Sequence, residues 1–119
     1  MMAPTIVLED DTPKLVIGSA GSNRIRSAIL QVISGVLDYG WDVQTAINAP
    51  RLHVEGDMIE VEGGIEAAVA KELAQSGYTV NAWKERNLFF GGVQAILRET
   101  GGELSGAGDP RRGGVAIVV

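Results

Sequence analysis

The sequence is poor in several residue types that commonly take part in chemistry. It contains no cysteine and a single histidine in 119 residues, which excludes disulfides, thiol chemistry and cysteine-ligated metal but leaves the cellular compartment open. Aromatic residues make up 5% of the chain, so the core must be built from Val, Ile, Leu and Ala. The sequence has neither a Walker lysine nor dinucleotide glycine spacing, and it predicts no cofactor and no metal.

Long apolar runs and clusters of positive charge are missing as well. The formal net charge is −5 and the basic residues form no stripe, so nucleic-acid binding is disfavoured. No apolar run approaches the length of a membrane span, and the N-terminus shows no signal-peptide pattern. Because 45% of the residues are hydrophobic, residues 1–119 are expected to form a single folded domain or part of one.

Residues 18–40 hold the strongest pattern in the sequence. A small-residue loop over residues 18–22 leads into a helical pattern, with apolar residues three and four positions apart. Ser22 or Asn23 is predicted as the N-cap, and Gly40 as the left-handed residue that ends the helix. With the short strand before it, this stretch predicts a strand, a glycine turn and a buried helix in succession.

The glycine turn has both a chemical and a purely structural interpretation. Small residues let the backbone approach a ligand, and the free amides at a helix start can face an anion or a developing oxyanion. The structural interpretation is that the glycines only make a tight turn. A phosphate or nucleotide site is a weaker third possibility, because the glycine spacing of those motifs is absent.

The other patterns predict hairpins alternating with helices. Strands are predicted at residues 5–8, 14–17, 51–54, 58–62, 79–83, 93–98 and 103–106, and further helices at residues 43–47, capped by Asp42, and 65–75. A polar turn at residues 9–13 is expected to join the first two strands. The order β-β-α-α-β-β-α-β-β-β, with antiparallel hairpins and helices between them, predicts an α+β fold.

Two groups of polar residues have alternative interpretations. His53, Glu55 and Asp57 are two positions apart and could share one face of a strand, as a metal site or, more simply, as solvent-facing side chains. Asp109 lies close to Arg111 and Arg112, and an internal ion pair that shapes this loop is predicted in preference to a substrate-binding role.

Four short stretches, in this order, suggest a family. They are Ala3-Pro4-Thr5-Ile6-Val7, Gly18-Ser19-Ala20-Gly21-Ser22-Asn23-Arg24-Ile25, Asp38-Tyr39-Gly40 followed by Asn48-Ala49-Pro50-Arg51-Leu52-His53, and Gly106-Ala107-Gly108-Asp109-Pro110-Arg111. They resemble the MSPTIV strand, the GSPGGSRI turn, the DYG…NAPRFHH segment and the GASDPR loop of the γ-glutamyltranspeptidases. Together they cover nearly the whole chain, which resembles the C-terminal part of that family's small subunit.

The resemblance implies a fold and a reaction. The fold is part of an N-terminal nucleophile hydrolase αββα sandwich, with two stacked sheets between helical layers. In that family a precursor cleaves itself, and the newly exposed threonine attacks the γ-glutamyl amide to form an acyl-enzyme. The family's oxyanion hole uses backbone amides of the paired glycines in its GSPGG turn, which correspond to Gly21 and Ser22 in this sequence.

The resemblance also implies what this chain does not supply. The family's nucleophile and most of its substrate-binding residues lie upstream of the MSPTIV strand, whereas Thr5 here falls inside that strand. The chain is therefore expected to be inactive alone and to be completed by an upstream catalytic partner, with a γ-glutamyl compound as substrate. The alternative is a non-catalytic half-domain that self-associates as a homo-oligomer through its exposed sheet.

Overall fold

Seven strands and three helices make up residues 2–119, the part of the chain that the computed structural model describes. The strands are β1 (Thr5–Glu9), β2 (Thr12–Ala20), β3 (Leu52–Glu55), β4 (Met58–Val61), β5 (Thr79–Ala82), β6 (Gly92–Arg98) and β7 (Leu104–Gly108). The helices are α1 (Ile25–Leu37), α2 (Val43–Asn48) and α3 (Ala67–Gln75). This order, and the α+β class, are those predicted from the sequence.

The strands form two sheets. Strands β1, β2, β6 and β7 make a four-stranded antiparallel sheet in the order β1-β2-β6-β7, and β3, β4 and β5 make a three-stranded sheet. In the smaller sheet β3 and β4 pair antiparallel, but β4 and β5 are parallel. The parallel pair follows from α3, which provides the crossover that parallel neighbours require. The sequence pattern of hairpins did not predict this pairing.

The core lies between the four-stranded sheet and helices α1 and α2. Alternate residues of β2 and β6 point to this side because side chains on a strand alternate with a period of two. Helix α1 meets them with its apolar stripe. The buried residues of this layer include Leu15, Ile17, Ala28, Ile29, Val32, Val93, Ala95 and Leu97. The predicted helical stripe is therefore the buried face of α1.

The opposite face of the four-stranded sheet is apolar, and within residues 2–119 only the C-terminal residues 115–119 lie beside it. Ile6 pairs with Val16, and Val16 pairs with Ile96, so the three side chains form a row across the sheet. They are 59%, 44% and 51% exposed, respectively. We refer to this row of Ile6, Val16 and Ile96 as the outer face. Within the described residues, helices thus cover only one side of the four-stranded sheet.

Strand β2 is longer than predicted. Gly18 and Ala20, expected in a loop, pair with Gln94 and Gly92 of β6. Hydrogen bonding to β6 therefore extends β2 through these small residues. At the other end of β2, Asp10 and Asp11 have φ values of +49° and +59°, which makes a two-residue hairpin turn of the type that matches strand twist. The predicted turn over residues 9–13 was therefore too long.

Helix α1 begins later than predicted and without a side-chain cap. A short 3₁₀ turn, Ser22–Arg24, precedes it, and no side chain caps either segment. The prediction of Ser22 or Asn23 as N-cap is thus wrong. Gly40 does have a left-handed φ of +68°, and Asp42 caps α2 by accepting a hydrogen bond of 2.9 Å from the Thr45 amide, both as predicted. None of the described helices is long and apolar enough to cross a membrane.

Candidate functional site

The predicted oxyanion turn lies where β2 ends and the 3₁₀ turn before α1 begins. Gly21 has a φ of +125° and Ser22 a φ of +52°, a left-handed region that a serine enters at a cost of about 1 kcal/mol. Ser22 is exposed, and the first amides of a helical segment have no partner inside it. The turn can therefore present backbone donors at the surface.

A second glycine, Gly91, lies directly behind the turn and precedes β6. A Cβ placed on Gly21 would lie 3.0 Å from the Gly91 Cα. A Cβ placed on Gly91 would lie 3.0 Å from the Ser19 Oγ and 3.2 Å from the Ala20 carbonyl oxygen. The two backbone segments approach more closely than a side chain at either position would permit, and this fixes the back of the turn.

The residues after the turn fasten it to an aromatic cluster. The Arg24 Nε donates a hydrogen bond of 3.2 Å to the Phe89 carbonyl oxygen. The Arg24 guanidinium carbon also lies 4.2 Å from the centroid of the Phe89 ring, a cation–π distance. The Phe89 ring stacks on Trp83 with 4.9 Å between centroids. Helix α1 is thus tied at its start to the segment before β6.

Two residues of the alternative metal site, His53 and Glu55, lie 3.5 Å apart, but the three do not converge on one point. His53 is 1% exposed, so the prediction of a solvent-facing side chain is wrong for it. Its Nδ1 lies 2.8 Å from the Ser27 Oγ, because β3 runs alongside α1. Glu55 stays partly exposed, and Asp57 lies in the β3–β4 turn rather than on the strand face. Within residues 2–119 no group of three potential ligands could hold a metal ion.

Four charged residues form a buried cluster: Arg51, Glu62, Asp109 and Arg111. Arg111 makes a two-pronged contact with Glu62 at 2.8 and 2.6 Å and pairs with Asp109 at 3.1 Å. Arg51 pairs with Asp109 at 2.8 Å. The predicted Asp109–Arg111 pair is confirmed, whereas Arg112 lies outside the cluster and donates to the Leu88 carbonyl oxygen.

Burial and the neighbouring charges shift the pKa values of three members of the cluster. Burial alone would raise the pKa of Asp109, but the Val93 amide, Arg51 and Arg111 together hold that pKa below its usual value. Burial alone would lower the pKa of Arg111, but the hydrogen bond and charge of Glu62, with Asp109, raise it above the usual value. Burial and the charge of Arg111 lower the pKa of Arg51.

The cluster also fixes the backbone that supports the turn. The Arg51 Nη1 donates a hydrogen bond of 3.0 Å to the Phe90 carbonyl oxygen. Asp109 Oδ2 accepts one of 2.9 Å from the Val93 amide. These two contacts lie on either side of Gly91 and Gly92 along the chain. The buried charges therefore position the segment against which the turn packs.

Sequence reasoning missed Arg51 and Glu62 as members of this cluster. Arg51 was expected as the first residue of a strand and Glu62 as the last residue of the next. The Glu62 amide donates to the Arg51 carbonyl oxygen at 2.9 Å, and the Arg51 amide donates to Glu62 Oε2 at 2.9 Å. The sequence signal that could have identified these two residues is the pairing of opposite charges at the ends of two hairpin strands. Their burial depends on contacts with Asp109 and Arg111, far along the chain.

Two grooves on the described surface lie away from the turn. One, of about 660 Å³, runs along the outer face of the four-stranded sheet beside residues 115–119. The other, of about 280 Å³, is lined by residues of α1 and α2 together with Tyr39 and Trp41. Neither groove includes Gly21 or Ser22.

The fold defines the class of protein. Solved structures with the same arrangement are N-terminal nucleophile hydrolases, with mixed α/β architecture and antiparallel sheets. One of them, the γ-glutamyltranspeptidase from Pseudomonas nitroreducens complexed with L-DON, matches with a TM-score of 0.84 and 35% sequence identity. The match covers 99% of this chain and 62% of that chain. Residues 2–119 therefore have the fold of this class, as predicted.

Sequence comparison narrows the class to a family. The family profile described as Gamma-glutamyltranspeptidase matches residues 1–119, and the chain belongs to this family. The glutathione hydrolase proenzyme of Escherichia coli (strain K12) is 42% identical over 112 residues, which are 92% of this chain and 19% of the relative. The acylase ACY 1 proenzyme of Pseudomonas sp. (strain SE83) is 32% identical over 118 residues, 99% of this chain and 21% of the relative. The chain spans about a fifth of the length of these relatives.

Proposed function

We propose that this chain supplies the oxyanion-hole turn of a γ-glutamyl hydrolase or transferase whose nucleophile lies on an upstream portion. The observation that supports this most directly is the surface turn at Gly21 and Ser22, held in a left-handed conformation at the start of a helical segment. Preorganised backbone amides of this kind stabilise the negative charge that develops on a carbonyl oxygen during acyl transfer. Neither the substrate nor the acceptor is specified by the described residues.

The nucleophile is proposed to come from outside residues 1–119. Three of the five threonines, Thr5, Thr12 and Thr79, lie in paired strands, Thr45 lies within α2, and Thr100 lies in the turn between β6 and β7. In acyl transfer the nucleophile attacks the amide carbon, the amine leaves, and water or an amine then takes the acyl group from the enzyme. On this proposal the present chain stabilises the oxyanion, and the upstream portion provides the attacking group.

The choice of a γ-glutamyl substrate rests on the relatives. The E. coli relative is named a glutathione hydrolase proenzyme, and the P. nitroreducens structure is titled a γ-glutamyltranspeptidase. Another relative is named an acylase, so the same fold accepts other acyl groups. We therefore propose γ-glutamyl amides as the substrate class, and other amides serve as comparison substrates in the cleavage assay.

The test is reconstitution with a matched pair of variants. The chain is combined with the upstream portion of a γ-glutamyltranspeptidase precursor, and cleavage of a γ-glutamyl anilide is measured. Gly21→Ala keeps the backbone amide but is strained at φ +125° and meets the Gly91 backbone. By displacing the turn amides it should lower kcat by about 100-fold, as much as loss of an oxyanion donor does. Gly101→Ala, which meets open space, is the control. Association without turnover in the unmutated complex would contradict the proposal.

A second candidate function is that of a non-catalytic half-domain that associates with itself. The exposed outer face supports it, because a large apolar patch on one side of a sheet is typical of an interaction surface. Native mass measurement in dilute buffer tests this alternative. A stable monomer that binds no apolar dye would contradict it, whereas a dimer that the upstream portion cannot dissociate would favour it over the enzymatic role.

A further inference from the structure

Four polar side chains next to the candidate turn form a connected chain, which we call the anchor network: Asn23, Glu55, His53 and Ser27. Asn23 Nδ2 donates a hydrogen bond of 3.0 Å to Glu55 Oε1. The other carboxylate oxygen, Oε2, lies 3.5 Å from His53 Nε2. His53 Nδ1 lies 2.8 Å from the Ser27 Oγ. The network begins at the residue after Ser22 and ends in the first turn of α1.

His53 is the buried member of the network. It is 1% exposed, and the Phe89 ring lies edge-on to it at 6.3 Å. Within residues 2–119 its Nε2 faces Glu55 Oε2 at 3.5 Å but makes no hydrogen bond. A buried polar atom without a full hydrogen bond is costly and calls for an explanation. The facing group is the carboxylate of Glu55, the same group that accepts the hydrogen bond from Asn23.

The turn needs such support because Ser22 is in a strained conformation. A non-glycine residue at a φ of +52° persists only when the surrounding structure holds it there. Gly91 and the Arg24–Phe89 contact fix the back of the turn and the start of the helix. The Asn23 side chain, between Ser22 and Arg24, is held by Glu55 on β3.

We propose that Glu55 and His53 are positioning residues for the candidate oxyanion turn. They hold the Asn23 side chain, and through it they keep Ser22 left-handed, so that the Gly21 and Ser22 amides keep one orientation. His53 in turn connects Glu55 to α1 through Ser27. This inference rests on the proposed function of the turn, but its structural part can be measured without activity.

The structural test exchanges donor and acceptor. Asn23→Asp places two carboxylates together, and adding Glu55→Gln restores the bond with reversed polarity. Hydrogen exchange at the Arg24 and Ile25 amides, which donate to the Gly21 and Ser22 carbonyl oxygens, should become about tenfold faster in Asn23→Asp, because local opening is easier. It should return to the wild-type rate in the double variant. The control is Asn81→Asp, which disrupts a similar exposed bond to Glu60. Wild-type exchange in Asn23→Asp would overturn the proposal.

His53 is tested by a conservative and a disruptive replacement. His53→Gln keeps a donor that can face Glu55, whereas His53→Leu removes it. The first should exchange like wild type at the Arg24 and Ile25 amides, and the second like Asn23→Asp. Exchange at the buried amides of β6 reports whether the leucine variant remains folded. If both replacements leave the exchange rates of the turn amides unchanged, His53 has no positioning role. If the leucine variant unfolds, the exchange rates of the Asn23 and Glu55 variants decide whether the network positions the turn.

The kinetic test uses the chain combined with the upstream portion and a γ-glutamyl anilide. Asn23→Asp should lower kcat by about tenfold with little change in KM, because the affected interaction strengthens only in the transition state. Asn23→Asp/Glu55→Gln should recover kcat. Ser22→Gly removes the strain of the left-handed serine, so Asn23→Asp should lower kcat less in the Ser22→Gly background than in the wild type. An active wild type with unchanged kcat in Asn23→Asp would refute the positioning role. An inactive wild type with faster exchange in Asn23→Asp would refute only the proposed function.

Discussion

At the scale of the residue, buried charge is the feature that most affects this protein. Asp109 is fully buried and contacts both Arg51 and Arg111. Removing one partner of a buried ionic group leaves the others uncompensated, which costs more than the pair contributes. The cluster also holds the segment around Gly91. Substitution of one carboxylate should therefore lower the stability of the chain and also change the geometry of the candidate turn.

Asp109→Asn should destabilise the chain by about 3 kcal/mol, because two buried guanidinium groups would then share the single carboxylate of Glu62. The free energy of unfolding is measured by urea denaturation followed by circular dichroism. Asp57→Asn, an exposed turn residue, is the control and should change stability by less than about 0.5 kcal/mol. Equal stability of the two variants would contradict this account of the cluster.

The lowered pKa of Asp109 predicts a loss of stability in acid. Its folded pKa lies below the value of about 3.9 expected in the unfolded chain. The stabilisation is therefore complete above that unfolded value and is lost as pH falls through the folded one. Unfolding free energies from pH 7 to pH 3 should fall more steeply for the wild type than for Asp109→Asn. Parallel curves would show that Asp109 does not contribute to this dependence.

At the scale of the element, the junction of β2, α1 and β6 decides the geometry of the turn. Strand β2 runs through its small residues and reverses only at Gly21 and Ser22. Gly91, just before β6, fits against Ser19, Ala20 and Gly21 without space for a side chain. Two chain segments that are distant in sequence thus share one close backbone contact.

Gly91→Ala should destabilise the chain and displace the turn. The alanine would adopt a φ of +94° and its Cβ would lie 3.0 to 3.2 Å from Ser19, Ala28 and Ala20, so about 2 kcal/mol of stability should be lost. Gly18→Ala, on the same sheet with nothing within 4 Å of its Cβ, should be nearly neutral. Thermal unfolding and amide chemical shifts of residues 19–24 measure the two effects. Unperturbed shifts in Gly91→Ala would contradict the close contact.

At the scale of the whole molecule, one face of the four-stranded sheet is only partly covered by residues 2–119. The helices bury its inner side, whereas Ile6, Val16 and Ile96 remain about half exposed on the outer face. Apolar area of this kind favours association with a further layer. That residues 1–119 behave as a single domain stays a prediction, which a single cooperative unfolding transition would support.

Ile96→Lys should leave the chain folded but weaken its association with the upstream portion. The side chain is 51% exposed on the outer face, so a lysine costs little in the isolated chain, whereas a desolvated lysine at an interface is expensive. Leu30→Lys, 67% exposed on α1, is the control on the helical side. Affinity is measured by titration calorimetry. Equal affinity of both variants would place the contact surface elsewhere.

The element order, the apolar stripe of α1, the Asp42 cap and the family motifs could all be recognised from the sequence, because each depends on residues close together along the chain. The Asp109–Arg111 pair was recognised for the same reason. The start of α1 could not be predicted, since its two candidate caps serve other roles: Ser22 forms the turn and Asn23 bonds to Glu55.

The amino-acid sequence by itself determined the order of strands and helices, which of their faces are apolar, and the family, because these depend on local periodicity and short motifs. Only the tertiary structure decided the burial of Arg51, Glu62 and His53, the parallel pairing of β4 and β5, and the close approach of Gly21 to Gly91. Those features depend on partners tens of residues away. The energy of a buried charge or a strained turn is set by the groups that surround it in space.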